Sequence, residues 1–233
     1  MKSLYLLINF FTVIVPFLFS FHPKLNFYKQ WKAFFLSNGI VAIVFILWDA
    51  AFTQKGIWGF NPDYITGIYF INLPIEEILF FICIPYACVF TYHCLALFFK
   101  LNRLAKTESL LIVVLAALLY SLGILFYNHL YTSTTFISLA TLLLVLRFGV
   151  RVIWLGKLLS IYPILLIPFF IVNGILTGTG LENPVVWYNN TENLNFRLLT
   201  IPVEDIFYGF ELIVLNIFFF EYFKGKLELQ ESK

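Results

Sequence analysis

Seven mostly apolar stretches recur along this chain, at roughly 3–20, 33–52, 73–99, 108–127, 132–149, 157–177 and 199–223. A helix needs about 20 such residues to cross a bilayer core. No other feature restricts the fold as much, and it predicts an all-α integral membrane protein of seven transmembrane helices. Only 12% of the residues are charged, against roughly 25% in soluble domains, too few to coat a water-soluble surface. The basic residues are scattered singly, which excludes a nucleic-acid-binding stripe. The first stretch has no small-x-small cleavage site after it and is expected to remain as a helix rather than act as a signal peptide. The chain is expected to form a single membrane domain, 1–233.

The loops predict an orientation. Lys24, Lys29 and Lys32 fall in loop one, Lys100, Arg103 and Lys106 in loop three, and Arg147, Arg151 and Lys157 in loop five. Lys224, Lys226 and Lys233 follow the last stretch. The alternate loops carry only Lys55 and Arg197. By the positive-inside rule the N-terminus is outside and the C-terminus is cytoplasmic. Trp31, Trp48, Trp58, Trp154 and Trp187 lie near predicted span ends, as an aromatic belt would.

The second and third spans resemble the sixth and seventh. Phe45-Ile46-Leu47-Trp48-Asp49 aligns with Phe169-Phe170-Ile171-Val172-Asn173, and Leu73-Pro74-Ile75-Glu76-Glu77-Ile78 with Ile201-Pro202-Val203-Glu204-Asp205-Ile206. The offset grows from 124 to 128, a four-residue insertion in loop six. Spans 1–3 and 5–7 are therefore read as parallel repeats, half-repeats about 1–106 and 129–233, related by a pseudo-two-fold axis along the membrane normal. Pro74 and Pro202 are expected in first helical turns, for which proline is preorganised.

The repeat brings two acidic pairs to the same depth. Carboxylates in a first turn suit the helix dipole, and a single pair reads most simply as capping. Two pairs in equivalent positions, with no Lys or Arg nearby in sequence, point further. Glu211 lies two turns past Glu204 on nearly the same face, and Asp49 lies near the same end of span two. Ionisable groups inside a bilayer are costly and mark functional interiors. Six carboxyls at close range cannot all ionise, so protonated acids would stand beside ionised ones, an arrangement suited to general acid–base chemistry. Aromatic faces nearby can stabilise a transient cation.

Other motifs point to no cofactor. His22, His93 and His129 show no metal-ligand spacing, and His93 is read as structural. Gly178-Thr179-Gly180 lacks the third glycine and preceding strand of a dinucleotide site. Cys83, Cys88 and Cys94 share one apolar run and are read as buried thiols. Asn189-Asn190-Thr191 matches a glycosylation sequon, a weak signal by itself.

Two Pro-x-Glu-(Glu/Asp) motifs in duplicated spans, Pro74-Ile75-Glu76-Glu77 and Pro202-Val203-Glu204-Asp205, resemble those of the membrane-integral carotenoid cyclases. The resemblance covers essentially the whole chain. It is to the fused form, in which two halves otherwise found as separate subunits are one polypeptide. One departure is that Asp49 in the first half faces Asn173 in the second. The resemblance implies an isomerase of carotenoid biosynthesis, a lycopene β-cyclase giving γ- and β-carotene. It implies Glu76 and Glu204 as acid or base, Glu77 and Asp205 as partners that tune them, and Asp49 and Glu211 as further candidates. The expected partners are membrane-dissolved lycopene or another carotenoid, the lipid bilayer and other enzymes of the pathway. The expected location is a bacterial inner membrane.

Other readings remain open at this level. A cyclase making ε-rings or acting on longer C50 carotenoids would carry the same motifs. A proton-coupled transporter could use the same carboxyls. A seven-helix retinal photoreceptor would need a lysine in the last span, and 199–223 contains none.

Overall fold

In a computed structural model, residues 2–99 and 107–231 are described. Lys100, Arg103, Lys106 and Lys233 lie outside them. Seven α-helices occur among the described residues: α1 (Leu4–Phe19), α2 (Trp31–Gln54), α3 (Ile75–Phe98), α4 (Glu108–Leu125), α5 (Leu130–Leu144), α6 (Leu155–Leu176) and α7 (Val203–Glu231). Their outer faces are apolar: Phe11, Ile43, Leu118, Leu125 and Ile167 are all exposed. Helices that present apolar side chains outward as well as inward belong in lipid. Six are long and apolar enough to cross a membrane. The exception, α1, has 16 residues, about 24 Å at 1.5 Å per residue, short of a core of about 30 Å.

The helix ends differ from the sequence reading in three places. The fifth segment begins at Leu130, two residues before the expected 132–149, and its last stretch, Val145–Val150, is a π-turn rather than α-helix. There Arg147 lies 3.5 Å from Glu108. The last helix runs on to Glu231, eight residues past the expected end. Hydropathy marks where apolar sequence stops, but Lys, Glu, Leu and Gln are good helix formers and carry the coil onward. Finally, Pro74 is not in a first turn. It is the extended residue before α3, with φ −64° and ψ 148°, and Pro202 likewise ends a strand.

Those strands belong to two matching hairpins. β2 (Tyr69–Phe70) pairs with β3 (Leu73–Pro74), and β5 (Arg197–Leu198) with β6 (Ile201–Pro202). Each leads directly into α3 or α7. The Ile75 N–H donates to the Ile68 carbonyl at 2.9 Å, and the Val203 N–H to the Phe196 carbonyl at 3.0 Å. The tips also match: Ile71 and Leu199 both have φ 60°. Side-chain-bearing residues with positive φ are uncommon, so this shared strain marks one local design used twice.

A third pairing joins the two long loops. β1 (Trp58–Phe60) runs antiparallel to β4 (Val186–Tyr188), with Trp58 opposite Tyr188. Asn189 N–H to Ile57 O and Asn61 N–H to Val185 O, both 2.8 Å, extend the ladder. The α2–α3 loop is thereby stitched to the α6–α7 loop across the end of the bundle where α3 and α7 begin. Beneath this lid Tyr5, Phe52, Trp58, Tyr131 and Val185 pack together. Further along, Val89, Leu139, Leu143, Leu158 and Ile217 form the main core. α1 packs on α3, α5 on α7, α4 on α5, and α2 along α7.

Candidate functional site

Six helix ends meet under the lid: the N-termini of α1, α3, α5 and α7 and the C-termini of α2 and α6. They bring together a cavity of about 730 Å³ whose wall includes Asp49, Glu77 and Asp205. Two of these acids come from the first half of the chain and one from the second.

Each cavity acid is held by named donors. The Tyr5 hydroxyl donates to Glu77 Oε2 at 2.5 Å. The Trp58 indole N–H donates to Asp49 Oδ1, whose Oδ2 is buried with no partner among the described residues. Asp205 accepts three bonds: Tyr131 to Oδ1 at 2.6 Å, Tyr188 to Oδ2 at 2.9 Å and Asn173 Nδ2 to Oδ2 at 2.7 Å. Three donors suit an ionised carboxylate, which only accepts. Tyr188, on the lid strand, stays a donor because burial pushes its hydroxyl well above the ordinary phenol range, with Asp205 adding to the effect. The departure seen in sequence, Asp49 against Asn173, thus has a chemical consequence. One half offers a third carboxyl, and the other offers an amide that donates to Asp205.

Glu76 and Glu204 have a different setting. They are wholly buried but outside the cavity wall. Glu76 Oε1 accepts the Thr66 N–H at 2.7 Å. Glu204 Oε1 accepts the Leu194 N–H at 2.7 Å and the Thr132 hydroxyl at 2.6 Å. Each therefore ties down the loop ten residues upstream, in the same way in both halves. The other oxygen of each is buried without a partner among the described residues. Glu211 lies deeper, accepts the Ser138 hydroxyl at 2.8 Å and is also absent from the wall. The six sequence-selected acids thus divide into three on the cavity and three set back from it.

Aromatic rings close over the acids. The Trp58 ring centroid lies 5.0 Å from Tyr131, 6.1 Å from Tyr188 and 6.0 Å from Tyr208. All four residues line the cavity. Trp58 is therefore buried in the site rather than part of an interfacial belt. Tyr208 keeps its hydroxyl buried and unpartnered among the described residues. Proton donors and acceptors under a lid, with ring faces around them, can move protons and stabilise positive charge where water is scarce.

Local sequence alone does not mark Tyr5, Tyr131, Tyr188, Tyr208 and Trp58 as site residues. A signal existed for two of them. Leu4-Tyr5 and Leu130-Tyr131 sit at the same place in the two repeats, and extending the alignment into spans one and five exposes the pair. His93, by contrast, has a structural partner, its Nε2 lying 2.9 Å from the Leu25 carbonyl oxygen. Asn189 of the sequon accepts the Thr191 hydroxyl at 2.8 Å in a local turn.

A family profile described as lycopene cyclase matches residues 2–95 and 128–223. Each matched block contains one acidic pair and one hairpin, and the gap between them spans α4. No curated protein and no solved structure matches the chain.

Proposed function

We propose, from the premise that the chain belongs to the lycopene cyclase family, that it closes the ends of lycopene into β-rings by acid–base catalysis without a redox cofactor. A carboxylic acid protonates the terminal double bond of the polyene at C2, leaving a tertiary cation at C1. The C5=C6 double bond attacks C1, the C1–C6 bond closes the six-membered ring, and the charge moves to C5. A carboxylate removes the proton from C6, which leaves the C5=C6 double bond of a β-ring. No atoms are gained or lost, so the enzyme is an isomerase.

The observation that carries this reading is the convergence of Asp49, Glu77 and Asp205 on one aromatic-walled cavity. Asp205, with three donors, is the carboxylate that takes the proton. Asp49, with one oxygen unpartnered, and Glu77 supply the acid. Glu76 and Glu204 brace the loops that hold their neighbours in place. Trp58, Tyr131, Tyr188 and Tyr208 face the cation, and a ring face offers about 0.5–2 kcal/mol to a desolvated charge. The lid keeps out water that would otherwise capture the cation.

In this reading all seven helices span the membrane, the 16-residue α1 by thinning the bilayer around it, with the halves related by a pseudo-two-fold axis along the membrane normal. The N-terminus lies outside and the C-terminus in the cytoplasm of a bacterial inner membrane. One shared site serves both ends of the substrate in turn.

The test is expression in lycopene-accumulating bacteria followed by pigment chromatography. β-Carotene is expected. ε-Ringed products would assign a different ring type, and unchanged lycopene would overturn the reading. In heavy water the ring should carry deuterium at C2.

A further inference from the structure

The cavity is not sealed along its side. Most of its lining is buried or half-buried, but Leu7 and Phe11 on α1 and Pro168 and Ile171 on α6 line it and stand exposed on the molecular surface. Leu7 and Phe11 are four residues apart, and Pro168 and Ile171 three apart, so each pair forms an edge along one helix face. α1 leans on α3 and touches α6 only lightly. Both edge helices contain proline, Pro16 in α1 and Pro163 and Pro168 in α6. Each interior proline removes a backbone hydrogen bond and loosens its helix locally. The edges lie within apolar helices, so the slot between them opens toward lipid rather than water.

The geometry points to a lateral portal between α1 and α6, through which one end of a linear hydrocarbon polyene passes from the bilayer to the acids. This inference rests on the cyclase reading above. The cavity wall follows α3 from Glu77 to Thr91, roughly 21 Å at 1.5 Å per residue. Below the acids it is lined by apolar side chains such as Ile84, Leu165, Leu212 and Ile213. A long hydrocarbon reaching the acids through the lid would first have to enter water, which the hydrophobic effect opposes. The side slot lets the chain remain in apolar surroundings throughout, with one end at the acids and the remainder still in lipid.

Two exposed positions on the same helices, Phe10 beside Phe11 and Ile167 one turn before Ile171, provide controls. Phe10 and Ile167 are also exposed, at 52% and 65% against 66% for Phe11 and 62% for Ile171, but do not line the cavity. Phe11→Trp and Ile171→Trp should each lower kcat/KM for lycopene in membrane vesicles by about tenfold or more, the size of a steric misfit in an apolar channel. Phe10→Trp and Ile167→Trp should leave it unchanged. A benzophenone-bearing phenylalanine analogue at each of the four positions gives a readout independent of turnover. Photocrosslinking to lycopene should saturate at 11 and 171, and remain weak and unsaturable at 10 and 167. Equal, unsaturable crosslinking at all four positions, or equal kinetic loss at all four, overturns the portal. Vesicles that make no cyclic carotenoid count against the cyclase reading alone, since crosslinking still scores the portal.

Discussion

At the scale of single residues, neighbouring acids in one motif have different surroundings. Glu76 and Glu77 are adjacent, yet one accepts a loop N–H and the other faces the cavity. Removing a general acid or base costs typically 10²–10⁴-fold in rate. Glu77→Gln and Asp205→Asn should therefore each lower lycopene conversion by at least about 100-fold. Glu76→Gln keeps an amide oxygen able to accept the Thr66 N–H, so it should retain activity within about tenfold, a small loss on the same scale. Glu76→Ala takes the acceptor from that part-buried donor, at a cost of up to about 1–3 kcal/mol, and should show as a lower melting temperature in detergent. Equal loss of activity in Glu76→Gln and Glu77→Gln would contradict this division of roles. Tyr188→Phe removes one of three donors to Asp205 and should slow the reaction about tenfold, the equivalent of a net hydrogen bond of about 1.4 kcal/mol. Its hydroxyl is held protonated by burial, so the loss should be the same at neutral and mildly alkaline pH. The acidic cluster was legible in the sequence because carboxyls in apolar runs stand out. Which oxygen faces the cavity was not, because that depends on rotation about a helix axis that hydropathy does not fix.

At the scale of elements, the lid is the part the sequence concealed most. Hydropathy reveals helices of twenty residues, but β1 and β4 have three residues each, too short to show an alternating pattern. Their pairing also joins segments more than a hundred residues apart, which local sequence cannot signal. The hairpins at Leu73–Pro74 and Ile201–Pro202 fell inside predicted spans for a related reason, since apolar strand and apolar helix look alike over so few residues. The lid has a specific weak point. A Cβ at Gly59 would lie 2.4 Å from the Trp187 ring, closer than any real contact allows, so Gly59→Val must push Trp187 aside or part the strands. The expected result is water reaching the cation. Water would add at C1 and lose a proton, giving an acyclic tertiary alcohol in place of the ring. Mass spectrometry of the pigments should find a product 18 mass units above lycopene (about one water, the consequence of failed exclusion). A variant that loses activity without this alcohol would indicate that the lid holds the acids in place and does not act as a water barrier.

At the scale of the whole molecule, the two halves of the chain contribute acids to one cavity. The repeat was legible from two motifs, and the hairpins repeat the same hydrogen bonds at the same offset. The convergence of the halves was not legible, because an alignment says which positions correspond and not whether they face one another. Asp49 and Glu77 approach from one half and Asp205 from the other, with α2 packed along α7 between them. If the chain is the cyclase proposed above, a symmetric substrate with two reactive ends presents them one after the other to this asymmetric cavity. After the first ring closes, the far end of the polyene still lies outside the acids, so the monocyclic product must withdraw and turn before the second closure. With lycopene in excess, the monocycle should accumulate early as a free membrane pigment and give way to the bicycle only as lycopene runs down. A chase of unlabelled lycopene, added after a labelled pulse, should trap the label in the monocycle. If the label instead passes straight to the bicyclic product, both ends are processed without release. One shared site under one lid would then be the wrong architecture for the reaction.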